Sequence, residues 1–283
     1  MKIEKNGYVG VRMHDLGSFE PEQLAGKLNE YGFSCGQLAI PKSIPGIASY
    51  HDVTDGLLEK IRTVFHEKAI SVSVLGCYIE PVHPDKAERD KHLQNFAQGI
   101  RSAAALKAGC IGTETTTFCG GAAEWDKAFS ILCHSVEFML EKAKPFGVTI
   151  GIEPVRFHTL RSPEAAYQLM KCFRGENIGI IFDALNLLAP DGAGSQQALW
   201  RECFDAFGQD ILACHIKDGA PNEERREWIE GPLGQGVLDY SGICDGLKRL
   251  GKQVPLLREG FLEAHAQTEL QYLNEIYIGG VRG

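Results

Sequence analysis

One recurrence restricts the fold of this chain more than any other feature. Eight times along its 283 residues, an apolar run of strand length is followed by a stretch with helical spacing of apolar residues. The strand candidates are YVGVRMHD from Tyr8, SCGQLAI from Ser34, SVSVLGCYIE from Ser71, CIGTETT from Cys110, VTIGIEPV from Val148, IGIIFDAL from Ile178, ILACHIKD from Ile211 and VPLLREG from Val254. Several are apolar without clean alternation, as expected of parallel strands covered on both faces.

The helical stretches carry their own terminus signals. PEQLAGKLNEYGF has Pro21 near its start and Gly32 just past its end, AERDKHLQNFAQGIRSAAALKAG stops at Gly109, and Ser162-Pro163 forms an N-cap and first-turn pair. Repeated βα units without a Pro/Ser/Gly linker or a low-complexity block predict an α/β protein, a single (β/α)8 TIM barrel with eight parallel strands, over residues 1–283. An open doubly wound sheet is the alternative, but no glycine-rich phosphate fingerprint follows an early strand.

Composition narrows the function classes. No apolar run approaches the roughly 20 residues that span a bilayer. The start, MKIEKNGYVGVRMHD, lacks the apolar core of a secretory signal, which predicts a cytoplasmic protein. A formal charge of −8 argues against nucleic acid as a partner and leaves a small molecule as the expected ligand. The nine cysteines are odd in number, show no C-x-x-C pair, and read as reduced thiols.

In such a barrel the C-terminal strand ends face the active-site mouth. Strand five ends in Glu153, six in Asp183, seven in His215 followed by Lys217 and Asp218, and eight in Glu259. Neighbouring parallel strands lie about 4.8 Å apart, so these groups converge. Each has an ordinary explanation alone: Asp183 as a cap for ALNLLA, Asp218 as a turn brace, His215 as a bonded core histidine, Lys217 as an ion-pair partner. As a set, three carboxylates at one rim repel one another unless a cation or proton intervenes. A divalent cation is therefore expected, with Mn²⁺ preferred for an oxygen-rich site holding one imidazole, and Mg²⁺, Co²⁺ or Zn²⁺ as alternatives. Lys217, His14, His83 and Arg156 are candidate substrate contacts on the same rim; His83 could equally brace its turn and Arg156 pair with an acid. Trp228, in the charged stretch NEERREWIEG, is a candidate cover for the site or a subunit contact, and the glycines of EGPLGQGVLDY read as a flexible mouth loop with Asp239 capping the next helix.

At these residues the chain resembles the xylose-isomerase-like TIM-barrel superfamily, in its sugar phosphate isomerase/epimerase branch. GIEP, IFDALN, CHIKDG, GPLGQGVLDYSGI and LREG occur in that branch's order, across nearly the whole chain. The resemblance implies that Glu153, Asp183, His215 and Glu259 are metal ligands and that Glu153 and Glu259 are also the acid/base pair. Two departures stand out: ketose 3-epimerases place a histidine where this chain has Asn186, and a further glutamate where it offers Arg156 and His158. A standard ketose 3-epimerase is therefore not expected. The implied activity is a metal-dependent isomerase or epimerase that removes a proton next to a carbonyl of a sugar or cyclitol through a metal-stabilised enediolate. An inosose dehydratase is the alternative, with an endonuclease-IV-like phosphodiesterase or a non-catalytic sugar-binding barrel behind it. Members are often homo-oligomers, which is the expectation here too.

Overall fold

The computed structural model describes residues 8–222, 224–225 and 227–281. Its strands are β1 Val9–Arg12, β2 Cys35–Leu38, β3 Ser71–Gly76, β4 Cys110–Glu114, β5 Ile150–Glu153, β6 Ile178–Asp183, β7 Ile211–Ile216, β8 Gly219–Asn222, β9 Glu227–Glu230 and β10 Leu256–Arg258. Between them lie the helices α1 Pro21–Tyr31, α2 Ile40–Ser43, α3 Asp55–Glu67, α4 Lys86–Leu106, α5 Ala122–Ala143, α6 Pro163–Cys172, α7 Ala184–Leu187, α8 Gln196–Phe207, α9 Ser241–Arg249 and α10 Ala266–Val281. Eight strands close into a parallel barrel in the order β1-β10-β7-β6-β5-β4-β3-β2. Each apolar run read from the sequence contains one of them. The antiparallel hairpin β8–β9 stands outside the barrel and was not expected.

Helix boundaries follow local chemistry. Gly32 takes the left-handed conformation after α1, and the Ser162 hydroxyl accepts the Ala165 N–H at the start of α6. One expectation is corrected: α4 stops at Lys107, which is itself left-handed, rather than at Gly109. Gly109 is required for a different reason, since a Cβ there would lie 2.7 Å from the Ser73 carbonyl oxygen.

The interior of the barrel is a thin apolar layer of Cys35, Val74, Cys110, Ile181, Ala213 and Leu257. Glycines make it closable: a Cβ at Gly112 or Gly151 would stand 2.5 or 2.9 Å from Ile181 Cδ1, so Ile181 fills the space those strands leave. The larger core lies between the outer sheet face and the helices. Behind β6, for example, Phe182 meets Trp200, Phe204 and Phe207 edge to face.

The eighth barrel strand is tied to the last helix by a buried ion pair. Arg258 Nε donates to Glu269 Oε2 at 2.9 Å and Nη2 to Oε1 at 2.8 Å, while the same guanidinium donates to the Gly231 and Glu259 carbonyls. Both side chains are almost wholly inaccessible, so removing one leaves the other charged and unpaired. Arg258→Met is expected to lower stability by about 3–5 kcal/mol in urea unfolding. The paired replacement Arg258→Met/Glu269→Leu should recover most of that loss.

Candidate metal centre

Strand alternation explains how the site is built. Side chains two residues apart share a face, so the step beyond the apolar layer places a second set inside the barrel, nearer the mouth. Cys35 is followed by Gln37, Gly151 by Glu153, Ile181 by Asp183, Ala213 by His215, and Leu257 by Glu259. Glu114 lies four beyond Cys110 and shares a register row with Glu153, as Asp183 does with His215. The row of Asp183 and His215 depends on a register shift: Ile180 pairs Ile211 but Ile181 pairs Ala213, so β7 carries one additional residue there.

His215 is the hub of this layer. Its Nδ1 lies 3.3 Å from Glu153 Oε2, 3.7 Å from Asp183 Oδ2 and 3.1 Å from Glu259 Oε2. Its other nitrogen, Nε2, is 2.8 Å from Gln37 Oε1. One ligand atom each from Glu153, Asp183 and His215 lie within 4.8 Å of one another, and all three residues are buried. His215 Nδ1 and Asp183 Oδ2 are inaccessible and make no well-formed hydrogen bond, the oxygen having only the Lys217 ammonium 3.2 Å away, and such atoms are rare in a protein interior. Those two atoms face the same space, and the donor set of two carboxylates and an imidazole fits a divalent cation.

Cations surround Glu259. Lys217 Nζ is 2.7 Å from Glu259 Oε1 and 3.2 Å from Asp183 Oδ2, and Arg12 pairs with the same Oε1. Arg12 Nε in turn donates to Asp15 Oδ1 at 2.8 Å, and Asp15 Oδ2 accepts the Gly260 N–H at 2.6 Å, which fastens the residue after Glu259 to the end of β1.

These contacts order the proton affinities. Burial works against ionising Glu259, but His215, Lys217 and Arg12 outweigh it and hold the carboxyl below its ordinary range. For Asp183 burial prevails over the pull of Lys217 and raises the pKa. Burial disfavours a charged His215, yet the carboxylates of Glu153, Glu259 and Asp183 overcome it and raise the pKa to about 9. Burial of Lys217 is likewise overcome, by Asp183 and Glu259, so it stays cationic.

The remaining sequence candidates divide. Asn186 joins the cluster: its Nδ2 donates to Glu153 Oε1 at 2.6 Å, and its Oδ1 accepts from Lys217 Nζ at 3.4 Å. Asp183 does cap the short helix α7, accepting the Asn186 N–H at 2.9 Å with Oδ1, while Oδ2 faces the centre. His158 Nδ1 is buried 3.7 Å from Glu114 Oε2. Arg156 stacks over Phe157, with its guanidinium 5.5 Å from the ring centre. His83 serves its own turn, accepting the Asp85 N–H at 3.2 Å and lying 3.8 Å from Glu80. His14 lies near Arg12 and Lys42, and burial together with these charges pushes its pKa down to about 4.

Two residues of the centre were not among the expected site residues. Gln37 is neutral, in mid-strand; Glu114 sits among threonines. Burial, with Glu153 and Glu259 nearby, raises Glu114 to about 7. The alternation rule applied to all eight strands, rather than to four strand ends, would have selected them.

The glycine loop is held more firmly than the sequence suggested. Asp218 accepts the N–H of Gly234 and Gly236 with Oδ2, each at 2.9 Å, and those of Gly219 and Leu238 with Oδ1 at 2.9 and 3.2 Å. A Cβ at Gly236 would collide with Asp218 Oδ1 at 2.1 Å, so the glycine is what lets the carboxylate enter. Asp239 was expected to cap α9; the N-cap is Tyr240, and Asp239, one residue earlier, accepts the Ser241 N–H at 2.9 Å. Trp228 Nε1 donates to the Leu188 carbonyl at 2.8 Å and so anchors the hairpin beside α7.

Comparison with known proteins places this geometry in context. The sequence model of the xylose isomerase-like TIM barrel matches residues 25–276. An inosose isomerase of Bacillus velezensis is 28% identical over 145 residues, 47% of this chain and 48% of that protein, so the match spans about half of the relative's length. Among solved structures, a D-tagatose 3-epimerase-like protein aligns at TM-score 0.77 and 16% identity over 97% of this chain and 98% of its own. A xylose isomerase-like TIM barrel protein from Mycobacterium smegmatis, solved with magnesium, aligns at 0.72 and 16% over 99% and 100%. Among the described residues no helix is long and apolar enough to cross a membrane.

Asp218→Asn replaces an acceptor oxygen with a donor facing two N–H groups. Amide exchange at Gly234 and Gly236 should accelerate at least about tenfold while that of β5 and β6 stays unchanged, since charged hydrogen bonds are worth about 1.5–3 kcal/mol each.

Proposed function

Starting from the fact that the chain belongs to the xylose isomerase-like TIM barrel family, we propose that it is a divalent-metal-dependent isomerase or epimerase of sugars or cyclitols. The observation that carries this reading is the convergence of Glu153, Asp183 and Glu259 on the Nδ1 atom of one buried histidine at the barrel mouth. Glu153, Asp183, His215 and Glu259 would hold the ion, with Mn²⁺ the best chemical fit and Mg²⁺, Co²⁺ or Zn²⁺ able to replace it.

A bound divalent cation would draw electron density from a substrate carbonyl and its neighbouring hydroxyl, acidifying the carbon between them. Glu153 and Glu259 are the acid/base pair: one takes the proton, the other returns it to the opposite face or the next carbon. Asn186 orients Glu153 through its 2.6 Å hydrogen bond, and Arg12 and Lys217 keep Glu259 ionised. Lys217 is also placed to donate to the substrate oxygen that becomes negative. His158 beside Glu114 would meet substrate hydroxyls farther out, and His14, His83 and Arg156 are the remaining rim candidates. The inosose isomerase relative and the epimerase-like fold neighbour support a polyhydroxylated substrate. Asn186 and the Arg156/His158 pair, where ketose 3-epimerases carry a histidine and a glutamate, argue for a substrate other than a standard ketose.

Elemental analysis tests the centre. The wild-type protein should retain about one divalent ion per chain, and Glu153→Gln and Asp183→Ala should each lower affinity at least about tenfold; unchanged occupancy in both rejects the reading. Incubation with ketoses and keto-inositols in deuterated water tests the chemistry. Deuterium incorporation without loss of water is the expected result, water loss would identify a dehydratase, and neither would leave a binding protein.

Proton competition gives a third expectation. With its pKa raised to about 9, His215 is protonated at neutral pH without the ion, so ion uptake must expel that proton. Affinity should rise by about one decade per pH unit below a pH of about 9, then level off. By the same sign the ion-free protein, whose folded pKa exceeds the unfolded value, loses that group's stabilisation as the pH rises from roughly 6.5 through about 9. Isothermal titration at several pH values measures the first effect.

A further inference from the structure

Gln37 stands out within the interior of the barrel. It is fully buried on β2, two residues beyond Cys35 of the apolar layer, where a leucine or methionine would pack without any need for hydrogen bonds. A buried primary amide is costly unless both its oxygen and its nitrogen are engaged. Both are. Its Nε2 donates to the Tyr78 hydroxyl, and its Oε1 is 2.8 Å from His215 Nε2. In register it lies beside Arg12 of β1, so it completes the ring of polar groups around His215 from the side opposite the carboxylates.

The two bonds together have a consequence for the imidazole. With the amide nitrogen turned to Tyr78, the oxygen is what faces His215, and a carbonyl oxygen can only accept. His215 Nε2 must then carry the hydrogen, and in the neutral ring the lone pair falls on Nδ1. Nδ1 is the atom that lies 3.1–3.7 Å from Glu259, Glu153 and Asp183. Without an acceptor at Nε2, the neutral ring would favour a proton on Nδ1, drawn by the three carboxylates, and that tautomer has no lone pair to offer an ion there.

We infer that Gln37 is the positioning residue of the metal centre: it sets the tautomer and the orientation of His215 so that Nδ1 binds the ion, with the Tyr78 hydroxyl accepting from the amide nitrogen. The inference rests on the reading of His215 as a metal ligand. Gln37 touches neither ion nor substrate and acts only through the imidazole.

Mn²⁺ affinity, measured by isothermal titration on chelator-stripped protein, tests it without reference to turnover. Gln37→Met, similar in size but without an acceptor, should weaken binding by about 10–100-fold. Gln37→Glu keeps an acceptor at the same reach and should restore affinity to within about threefold, a rescue that a packing role would not produce. Tyr78→Phe leaves the amide nitrogen without its acceptor and should give an intermediate loss. Binding by Gln37→Met within about threefold of wild type overturns the inference, as does an equal loss in the Glu variant. If Gln37→Met yields no cooperatively folded protein by circular dichroism, Gln37→Asn is read instead: its shorter amide cannot reach Nε2, and unchanged affinity there overturns the inference too. His215→Ala separates the two levels. If it binds Mn²⁺ as well as wild type, the metal reading itself fails; if it does not but Gln37→Met does, only the role of Gln37 fails.

Discussion

Two unit charges 4 Å apart interact by about 4 kcal/mol at the effective dielectric of a protein, and in the upper layer of this barrel carboxylate oxygens of Glu153 and Asp183 lie within 4.8 Å of each other. Glu153, Asp183 and Glu259 all approach one imidazole nitrogen, and Glu114 sits in the next row. Much of the surrounding structure follows from this crowding. Lys217 is buried between two of the acids, Arg12 spans Asp15 and Glu259, and His215 retains a proton far above its usual range. Arg258, facing the opposite way from Glu259, is locked against Glu269 of α10 and so keeps a further charge out of the centre.

Neutral groups finish the arrangement. Asn186 donates to one carboxylate and accepts from the lysine, and Gln37 accepts from the histidine while donating to Tyr78. Amides suit these places because each offers a donor and an acceptor without adding to the repulsion. Asp183 has two tasks at once, with one oxygen capping α7 and the other turned to the centre. Capping the helix does not exclude a role for that aspartate at the centre.

The barrel could be read from the sequence because parallel strands covered on both faces are apolar runs, and eight of them with helices between admit few folds. Glu153, Asp183 and His215 were visible because each is the first polar residue after such a run, and Glu259 because it follows the eighth run directly after Arg258. Gln37 was not, because a neutral amide inside Cys35–Leu38 breaks the run without advertising chemistry. Glu114 was hidden by the threonines around it, and the hairpin by a charged turn that shows no alternation. The hold of Asp218 on the glycine loop is also illegible in sequence, since it joins backbone groups up to 20 residues away. Glycine-rich composition suggests freedom, whereas here it admits a carboxylate among four N–H groups.

Ile181, seated in the gap left by Gly112 and Gly151, closes the barrel directly beneath the acids. Hydrocarbon below and helices around form walls of low polarisability, so the electric field of the centre is channelled outward through the mouth. A cation diffusing near this chain, whose formal charge is −8, is thus guided to that opening. A methyl-sized change at Ile181 would loosen the apolar seal on which the acids sit.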